Sequence, residues 1–432
     1  MSKRNENRPG YKKSKAGWIP DKWESNGFSA IAKIEMGQSP NGKSYNTEGI
    51  GYPLINGPTE FTERYPIKKQ WTSSPTKICN SGDILLCVRG SSTGRMNIAN
   101  DKYCIGRGVA AICHKDKKSY SIFIEQLLIS ITTRILTLTT GSTFPNIDKN
   151  TLSSIPVGVP PLPEQEKIAE ILSAWNRAIE QVGKLIDAKQ RLKKGLMQQL
   201  LTGRMRFPEF DHGIHGIHGK KKDELPEGWK NKTLGSFGLF SKGKGISNSE
   251  KRGTGFPCIT YGEIYTRHEF VIKEFHSFID KDTAQKSQRI QKGDIIFAGS
   301  GETLDEIGKC VAYTQDEEAY AGGDIIIFRP KGVDSVYVSY LLNSDLLIRQ
   351  KRKLGQGYSV VHIYSSGLKI LHVPLPSLPE QTRIASVLST CDREIELLRR
   401  KEIALREQKK GLMQKLLTGK VRHPEFLKEG RA

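Results

Sequence analysis

One stretch of this chain occurs twice. Pro163 to Phe210 reads PEQEKIAEILSAWNRAIEQVGKLIDAKQRLKKGLMQQLLTGRMRFPEF. It returns 216 residues later, at Pro379 to Phe426, as PEQTRIASVLSTCDREIELLRRKEIALREQKKGLMQKLLTGKVRHPEF, without a gap and with half the positions identical. Solenoid units recur every ~20–50 residues. A spacing this long therefore marks a tandem duplication of one large unit, and any fold must accommodate two copies of the same element.

Each copy reads as a single long helix. Pro163 and Pro379 suit the first helical turn, where no amide hydrogen is needed, and Glu164 and Glu380 place negative charge at the positive end of the dipole. Apolar residues then step by four and three along Ile168, Leu172, Trp175, Ile179, Val182 and Ile186. The second copy gives Ile384, Leu388, Cys391, Ile395, Leu398 and Leu405, followed by Leu412 and Leu416. Such a seam zips one helix against another, and the obvious mate for each copy is the other copy. Polar residues interrupt it at Lys189, Lys193, Glu402 and Lys409. Gly203 and Gly419 stand where a left-handed cap ends a helix, with Pro208 and Pro424 beyond. Gly195 and Gly411, inside KKGLMQ in both copies, cost about 1 kcal/mol each relative to alanine. They predict close approach by a neighbouring backbone or a local break.

The rest of the unit has another texture. From Trp18 to about Pro160, short apolar runs such as Asp83–Val88 and Gly108–Ile112 alternate with Gly, Pro, Asn and Ser, which predicts strands of a mixed or mainly β domain, with a helix over 121–135. From Glu224 the pattern restarts. Leu225–Trp229 echoes Ile19–Trp23, Gly293–Phe297 echoes Gly82–Leu86, and Gly355–Tyr358 echoes Gly141–Phe144. These echoes need offsets of 206 to 214, whereas the helices need only 216. The helices have kept their register and the globular parts have diverged. The expected organisation is a basic, disordered tail over 1–17, a globular domain over 18–160, a long helix over 161–210 and a linker over 211–224. A second globular domain over 225–376 and a second helix over 377–426 follow. The fold class is α+β, a pseudo-twofold tandem repeat in which two long antiparallel helices form a coiled coil between two globular domains.

Net charge narrows the partners. A formal charge of +21 and a pI near 9.5 favour a polyanion, nucleic acid before membrane. No run of eighteen apolar residues spans a bilayer and no signal peptide is visible. The seven cysteines lack zinc-type spacing and read as buried thiols in a reducing cytoplasm.

Three chemical motifs are weaker than they look. Gly37 to Ser44, GQSPNGKS, fits the phosphate-loop string, but Tyr45–Pro53 is no helix and the second half lacks the string, so it is a loop. Asp294 with Glu306 and Lys309 resembles a Mg-dependent nuclease set, yet the first half keeps only Asp83. His212, His215 and His218 sit in a Gly- and Lys-rich linker and read as spacer. What remains is recognition chemistry. The candidates in the first half are Arg64 and Lys68, with Arg89, Ser91, Ser92, Arg95, Arg107, Thr143 and Asn146 in or beside glycine-containing turns. Those in the second are Tyr261, Arg267, His268, Lys309, Gln356 and Tyr358. Such side chains contact base edges and clamp phosphates.

Two copies of Leu-Pro-Glu-Gln opening a long helix, each closed by KKGLMQxLLTG, together with the Gly37–Gly49 pattern, resemble the specificity subunit of a type I restriction–modification enzyme. The resemblance covers Trp18 to Phe426. It implies two target-recognition domains reading the halves of a split, asymmetric DNA site, with the helices setting the gap. It also implies partners: double-stranded DNA, two copies of a methyltransferase subunit that uses S-adenosylmethionine on adenine, and a restriction subunit that uses ATP and Mg. This chain would then bind no cofactor or metal and catalyse nothing. The rival readings are a self-contained Mg-dependent endonuclease and a coiled-coil interaction protein.

Overall fold

Residues 9–139, 146–211, 225–357 and 360–427 are described by a computed structural model of the protein. The chain divides into two units, and neither is a contiguous half. One comprises Met1–Gly183 with Arg400–Ala432, the other Lys184–Arg399. Each unit therefore contains one globular domain, the beginning of one long helix and the end of the other.

The helices run over Leu162–Leu200 and Leu378–Leu417. Each ends where the sequence predicts, with Gly203 at φ +68° and Gly419 at φ +69°, the left-handed conformation glycine adopts freely. In both, the chain wraps back identically: Met205 N–H donates to the Gln199 carbonyl, and Val421 N–H to that of Lys415, each at 3.2 Å. In the first unit Ile168, Ala169 and Leu172 share a core with Met413, Leu416 and Leu417. In the second, Leu200 and Leu201 share one with Ile384, Ala385 and Leu388. The helical segments are thus antiparallel within each unit. Of the seam, Ile168, Leu172, Ile179, Val182, Ile186, Ile384, Leu388, Cys391 and Ile395 are buried, while Trp175, Leu398 and Leu405 are half-buried.

Three of the four polar interruptions are paired. Lys189 meets Glu394 at 2.7 Å. Lys193 is buried, bound to Asp392 and set over the Phe270 ring at 4.1 Å. Glu402 holds Arg406 one turn on at 2.6 Å, and burial lowers the pKa of Lys409 against the pull of Glu125. Gly195 and Gly411 depart from expectation: the helices continue through both. A β-carbon at either would meet nothing within 4 Å among the described residues. Nothing among the described residues explains them.

The two globular domains share a topology. The first has an antiparallel sheet in the order Met96–Ile98, Ile84–Cys87, Val109–His114, Ala32–Met36. A second sheet places Tyr52–Ile55 parallel to Tyr103–Ile105. In the other unit the corresponding order is Cys310–Tyr313, Ile295–Ala298, Ile325–Pro330, Gly238–Lys242, and Phe256–Ile259 lies parallel to Ala319–Ala321. The central strand explains its own unbroken apolar run. Ile84 and Leu86 face the core that includes the long helices, and Leu85 and Cys87 face the second sheet. Ile295 and Phe297 against Ile296 and Ala298 repeat this division, because successive strand residues point to opposite faces.

The helix ends lock onto these domains. Arg422 grips Glu164 through two hydrogen bonds of 2.7 Å, and Trp23 donates its indole N–H to the same carboxylate at 2.9 Å. In the second unit Arg206 grips Glu380 at 2.9 and 2.8 Å. Gln165 donates to the Pro160 and Lys118 carbonyls and accepts from Tyr120 N–H; Gln381 donates to Pro376 and accepts from Asp334 N–H. The Glu and Gln of the Leu-Pro-Glu-Gln motif therefore form a buried clamp.

One expected boundary needs correction. Within the segment 1–17, Tyr11–Ser14 pairs with Gly17–Pro20 as a hairpin, and the Tyr11 hydroxyl donates to the Gly419 carbonyl at 2.8 Å. A hydrophobic anchor at Ile19 and this polar contact order what the composition alone left loose. Residues 1–8, and 212–224 of the linker with its three histidines, lie outside the described residues.

Removing one member of a buried ion pair costs about 3–5 kcal/mol because the other charge is left unpaired. Arg206→Met and Arg422→Met should each lower the urea midpoint by a comparable amount, and Arg206→Met with Glu380→Gln should recover part of the loss. Unchanged midpoints for both single variants would show the clamps to be dispensable.

Candidate nucleic-acid interface

The strongest common feature of the two domains lies where the central strand leaves its sheet. In the first unit Val88 N–H donates to the Gly108 carbonyl and Ile147 N–H to the Val88 carbonyl, both at 2.9 Å. This brings Arg89 opposite Asn146 as a bridge. The turn that follows, Gly90 to Gly94, has both glycines at positive φ. Thr93 N–H closes it onto the Gly90 carbonyl at 3.1 Å. Arg95 then reaches the Phe61 carbonyl at 3.3 Å. Arg89, Ser91, Arg95, Arg107 and Asn146 are exposed, and Ser92 is half-buried.

The second unit repeats the frame with other side chains. Gly299 N–H donates to Asp324 at 2.7 Å and Ile363 N–H to Gly299 at 2.9 Å. Ser300 then pairs with His362, its hydroxyl 2.9 Å from the imidazole Nδ1. Gln356 and His362 exchange backbone hydrogen bonds at 2.9 and 2.7 Å. The Tyr265 hydroxyl donates to the Ser300 carbonyl at 3.0 Å. The Tyr265 hydroxyl, on the short helix Tyr261–Thr266, also lies 3.3 Å from the Glu306 carbonyl, which ties that helix to the segment after Ser300.

The candidate residues do not all share these edges. Arg64 stands 3.3 Å from the Tyr65 hydroxyl and 3.7 Å from Glu125. Lys68 is exposed but held by Asp101 at 2.6 Å. Lys309 is half-buried and donates to the Tyr265 carbonyl at 3.3 Å. His268 is buried rather than presented to a ligand, with the His276 ring 6.0 Å away. Its neighbour Arg267 takes the exposed place, since the short helix Tyr261–Thr266 ends there and turns successive side chains in and out. Thr143 and Tyr358 lie outside the described residues. Sequence reasoning missed Ser300 and His362, whose placement depends on long-range strand pairing. It also missed the basic run Arg349 to Lys353, which was in plain view.

The nuclease-like set is dispersed. Asp294 is fully buried, gripped by Arg329 at 2.7 and 2.8 Å, and accepts from Gln291 N–H at 2.8 Å. Asp83 accepts from Asn80 N–H at the same distance, so both aspartates close the turn before the central strand. Glu306 is exposed on its loop. Among the described residues no three His, Cys, Asp or Glu side chains gather as metal ligands. The phosphate-loop string is a loop, with Asn41 capping the single turn Gly42–Ser44. Burial raises the pKa of the Cys79 thiol to about 12 and that of Cys87 to about 11.

A duplicated α+β domain whose two copies present different side chains on one shared backbone frame, in a strongly basic chain, defines a two-site nucleic-acid reader. The family described as the type I restriction modification DNA specificity domain matches residues 20–190 and again 226–407. The chain belongs to that family. It is 27% identical to the type I restriction enzyme MjaVIII specificity subunit of Methanocaldococcus jannaschii over 417 residues, 94% of each chain. It is 41% identical to the putative MjaX specificity subunit of the same organism over 198 residues, 45% of this chain and 46% of that one. The fold is that of the S subunit of a type I system from M. genitalium, with TM-score 0.54 and 18% identity over 91% of this chain and 96% of the other. A chain solved in work on assembly and conformational transition of the type I R–M system gives TM-score 0.58 and 16% identity, over 93% and 99%.

Burial lowers the pKa of His268 to about 4 from an ordinary 6.5. A proton is therefore taken up by the unfolded chain before the folded one as pH falls, so stability is lost from pH 6.5 down towards 4. By pH 5 the loss attributable to this side chain should be about 2 kcal/mol. His268→Phe should flatten that part of the urea-midpoint profile; an unchanged slope would assign the loss elsewhere.

Proposed function

We propose that this chain reads a bipartite, asymmetric DNA site for a type I restriction–modification complex, one half-site per globular domain, and is itself non-catalytic. The observation that carries the reading is the pair of equivalent edges, Arg89 with Asn146 and Ser300 with His362, on one hydrogen-bond frame. Arginine and asparagine are the side chains that bind guanine and adenine edges bidentately, and serine with histidine offers a different donor and acceptor pattern. Two halves so furnished bind two unlike sequences. The net charge of +21 supplies the phosphate attraction on which such reading depends.

The partners are double-stranded DNA, two copies of a methyltransferase subunit and a restriction subunit, acting in the cytoplasm. Among the described residues no helix is long and apolar enough to cross a membrane. The repeated KKGLMQ segments, with Gly195 and Gly411 on open helix surface, give two identical methyltransferase subunits equivalent places to dock. S-adenosylmethionine, ATP and Mg belong to the partners. Their chemistry is methyl transfer to adenine and DNA translocation with cleavage, and this chain selects where it happens.

Mapping methylated adenines in cells carrying the wild-type chain should reveal one split motif. Arg89→Ala with Asn146→Ala should relax one half of it and leave the other intact, each lost bidentate contact being worth about 1–3 kcal/mol. His362→Ala should relax the opposite half. Loss of both halves together in either variant, or no change in either, would refute the division of labour.

A further inference from the structure

A cavity of about 720 Å³ opens inside the second unit, next to the Ser300–Lys309 loop. Its walls are the last turns of the first long helix, the loop from Asp305 to Lys309, and the break between the helices Ser335–Leu342 and Asp345–Arg352. Charge on these walls is unbalanced. Glu269 is shared by Lys193 and Arg399 at 3.7 and 3.5 Å. Asp305 is held by Arg352 at 2.9 Å, and Asp345 accepts from Gln198 at 3.2 Å. Two lining carboxylates, Glu306 and Asp345, have no ion-pair partner among the described residues, and they carry the unpaired negative charge of these walls.

Against them stand five cations. Lys194, Arg204 and Arg349 are exposed lining residues with no ion pair among the described residues. Lys309 and Lys351 each have only a carbonyl, that of Tyr265 at 3.3 Å and that of Gly308 at 2.7 Å. Lys351 is buried, which lowers its pKa to about 8. An ammonium has three donors, so this one keeps two for a ligand, and a bound anion would offset its burial.

We propose that this cavity is a phosphate-binding site that takes the backbone of a DNA strand beside the half-site read by the second domain, and that the first domain has no equal of it. The proposal rests on the DNA-reading function given above. The asymmetry follows from the fold. In the first unit the corresponding helix, Ser121–Thr139, runs on unbroken, and past Ser130 it carries one basic residue, Arg134. In the second, Asn343 ends the helix by donating to the Cys310 and Ser339 carbonyls at 2.7 and 2.9 Å. The chain restarts as a helix bearing Arg349, Lys351 and Arg352. Of the cations, Lys194 and Arg204 recur in the first unit as Lys410 and Lys420 and Lys309 recurs as Arg95, whereas Arg349 and Lys351 stand on the restarted helix. The phosphate could also arrive on a free nucleotide, which shares the chemistry.

The test is the salt dependence of duplex DNA binding by the full chain. Each phosphate contact contributes about 0.9 to the slope of log affinity against log salt. Lys194→Gln, Arg204→Gln and Arg349→Gln together should make the slope shallower by about 2–3. Lys410→Gln with Lys420→Gln should change it by no more than about 0.9. Arg204→Lys with Arg349→Lys should keep the wild-type slope, which separates charge from folding. A triple variant with the wild-type slope overturns the site, and equal losses per charge in the two units overturn the asymmetry. Binding of fluorescent ATP to wild type but not to the triple variant, with the DNA slope unchanged, assigns the cavity to a free nucleotide and overturns the DNA assignment. Wild type without salt-sensitive DNA binding defeats the proposed function itself, a separate outcome.

Discussion

Two carboxylates, Glu164 and Glu380, open the long helices, and each is bound through both oxygens by an arginine from the other repeat. Such a fork tolerates little displacement, since two parallel N–H···O bonds fix angle as well as distance. Each repeat supplies a carboxylate at the start of its helix and an arginine beyond its end, 42 residues later in both copies. Inserting one residue into a helix would turn everything beyond it by about 100° and carry the arginine off its target. This accounts for an alignment without gaps over the helices beside globular domains whose echoes drift by several residues. Length is constrained where both ends must meet fixed partners, and free where a loop ends in solvent.

The clamp also explains why neither unit is a contiguous half of the chain. The second helix returns its last turns to the first domain, where Gly419 lies against Pro20 and Trp23, just as Gly203 lies against Pro226 and Trp229. Within this shared plan the polar details have drifted. Lys193, Asp392 and Tyr340 form a connected cluster in the second unit, with the Tyr340 hydroxyl 2.5 Å from Asp392. The equivalent positions in the first hold Lys409, Asn176 and Gln126. There Gln126 is fully buried and neither end of its amide finds a partner among the described residues. Trp23 bonds Glu164, but the Trp229 indole N–H is unpaired among the described residues. Apolar packing and the two forks maintain the plan, and individual polar contacts are expendable.

How much could be read from residues alone follows from how local each interaction is. The helices, their caps at Gly203 and Gly419 and the seam positions were legible because periods of 3.6 and 3.5 residues are written within a few turns. The duplication was legible because identity needs no structure. The role of Glu164 was half legible: its place at a helix start suggested the dipole, whereas its true partner stands 258 residues away. Asp294 illustrates the same limit. Acid, acid and lysine in one region suggested a nuclease, and only strand pairing shows that Arg329, 35 residues on, neutralises the first of them. His268 read as a surface donor because a turn of polar residues contains it, yet the short helix before it points it inward.

The reading edges were hidden for a further reason. Arg89 and Ser300 occupy one backbone position, as do Asn146 and His362, and the hydrogen bonds that fix those positions come from Gly108 or Asp324, and from Ile147 or Ile363. None of the supporting groups is a side chain, so a sequence comparison between the halves finds different letters at the paired positions themselves, Arg89 against Ser300 and Asn146 against His362. A frame built from backbone amides leaves every side chain upon it free to change without loss of support. The same property that conceals the edge from sequence reading allows a domain to acquire a new target while its sheets, its clamp and its helices stay as they are.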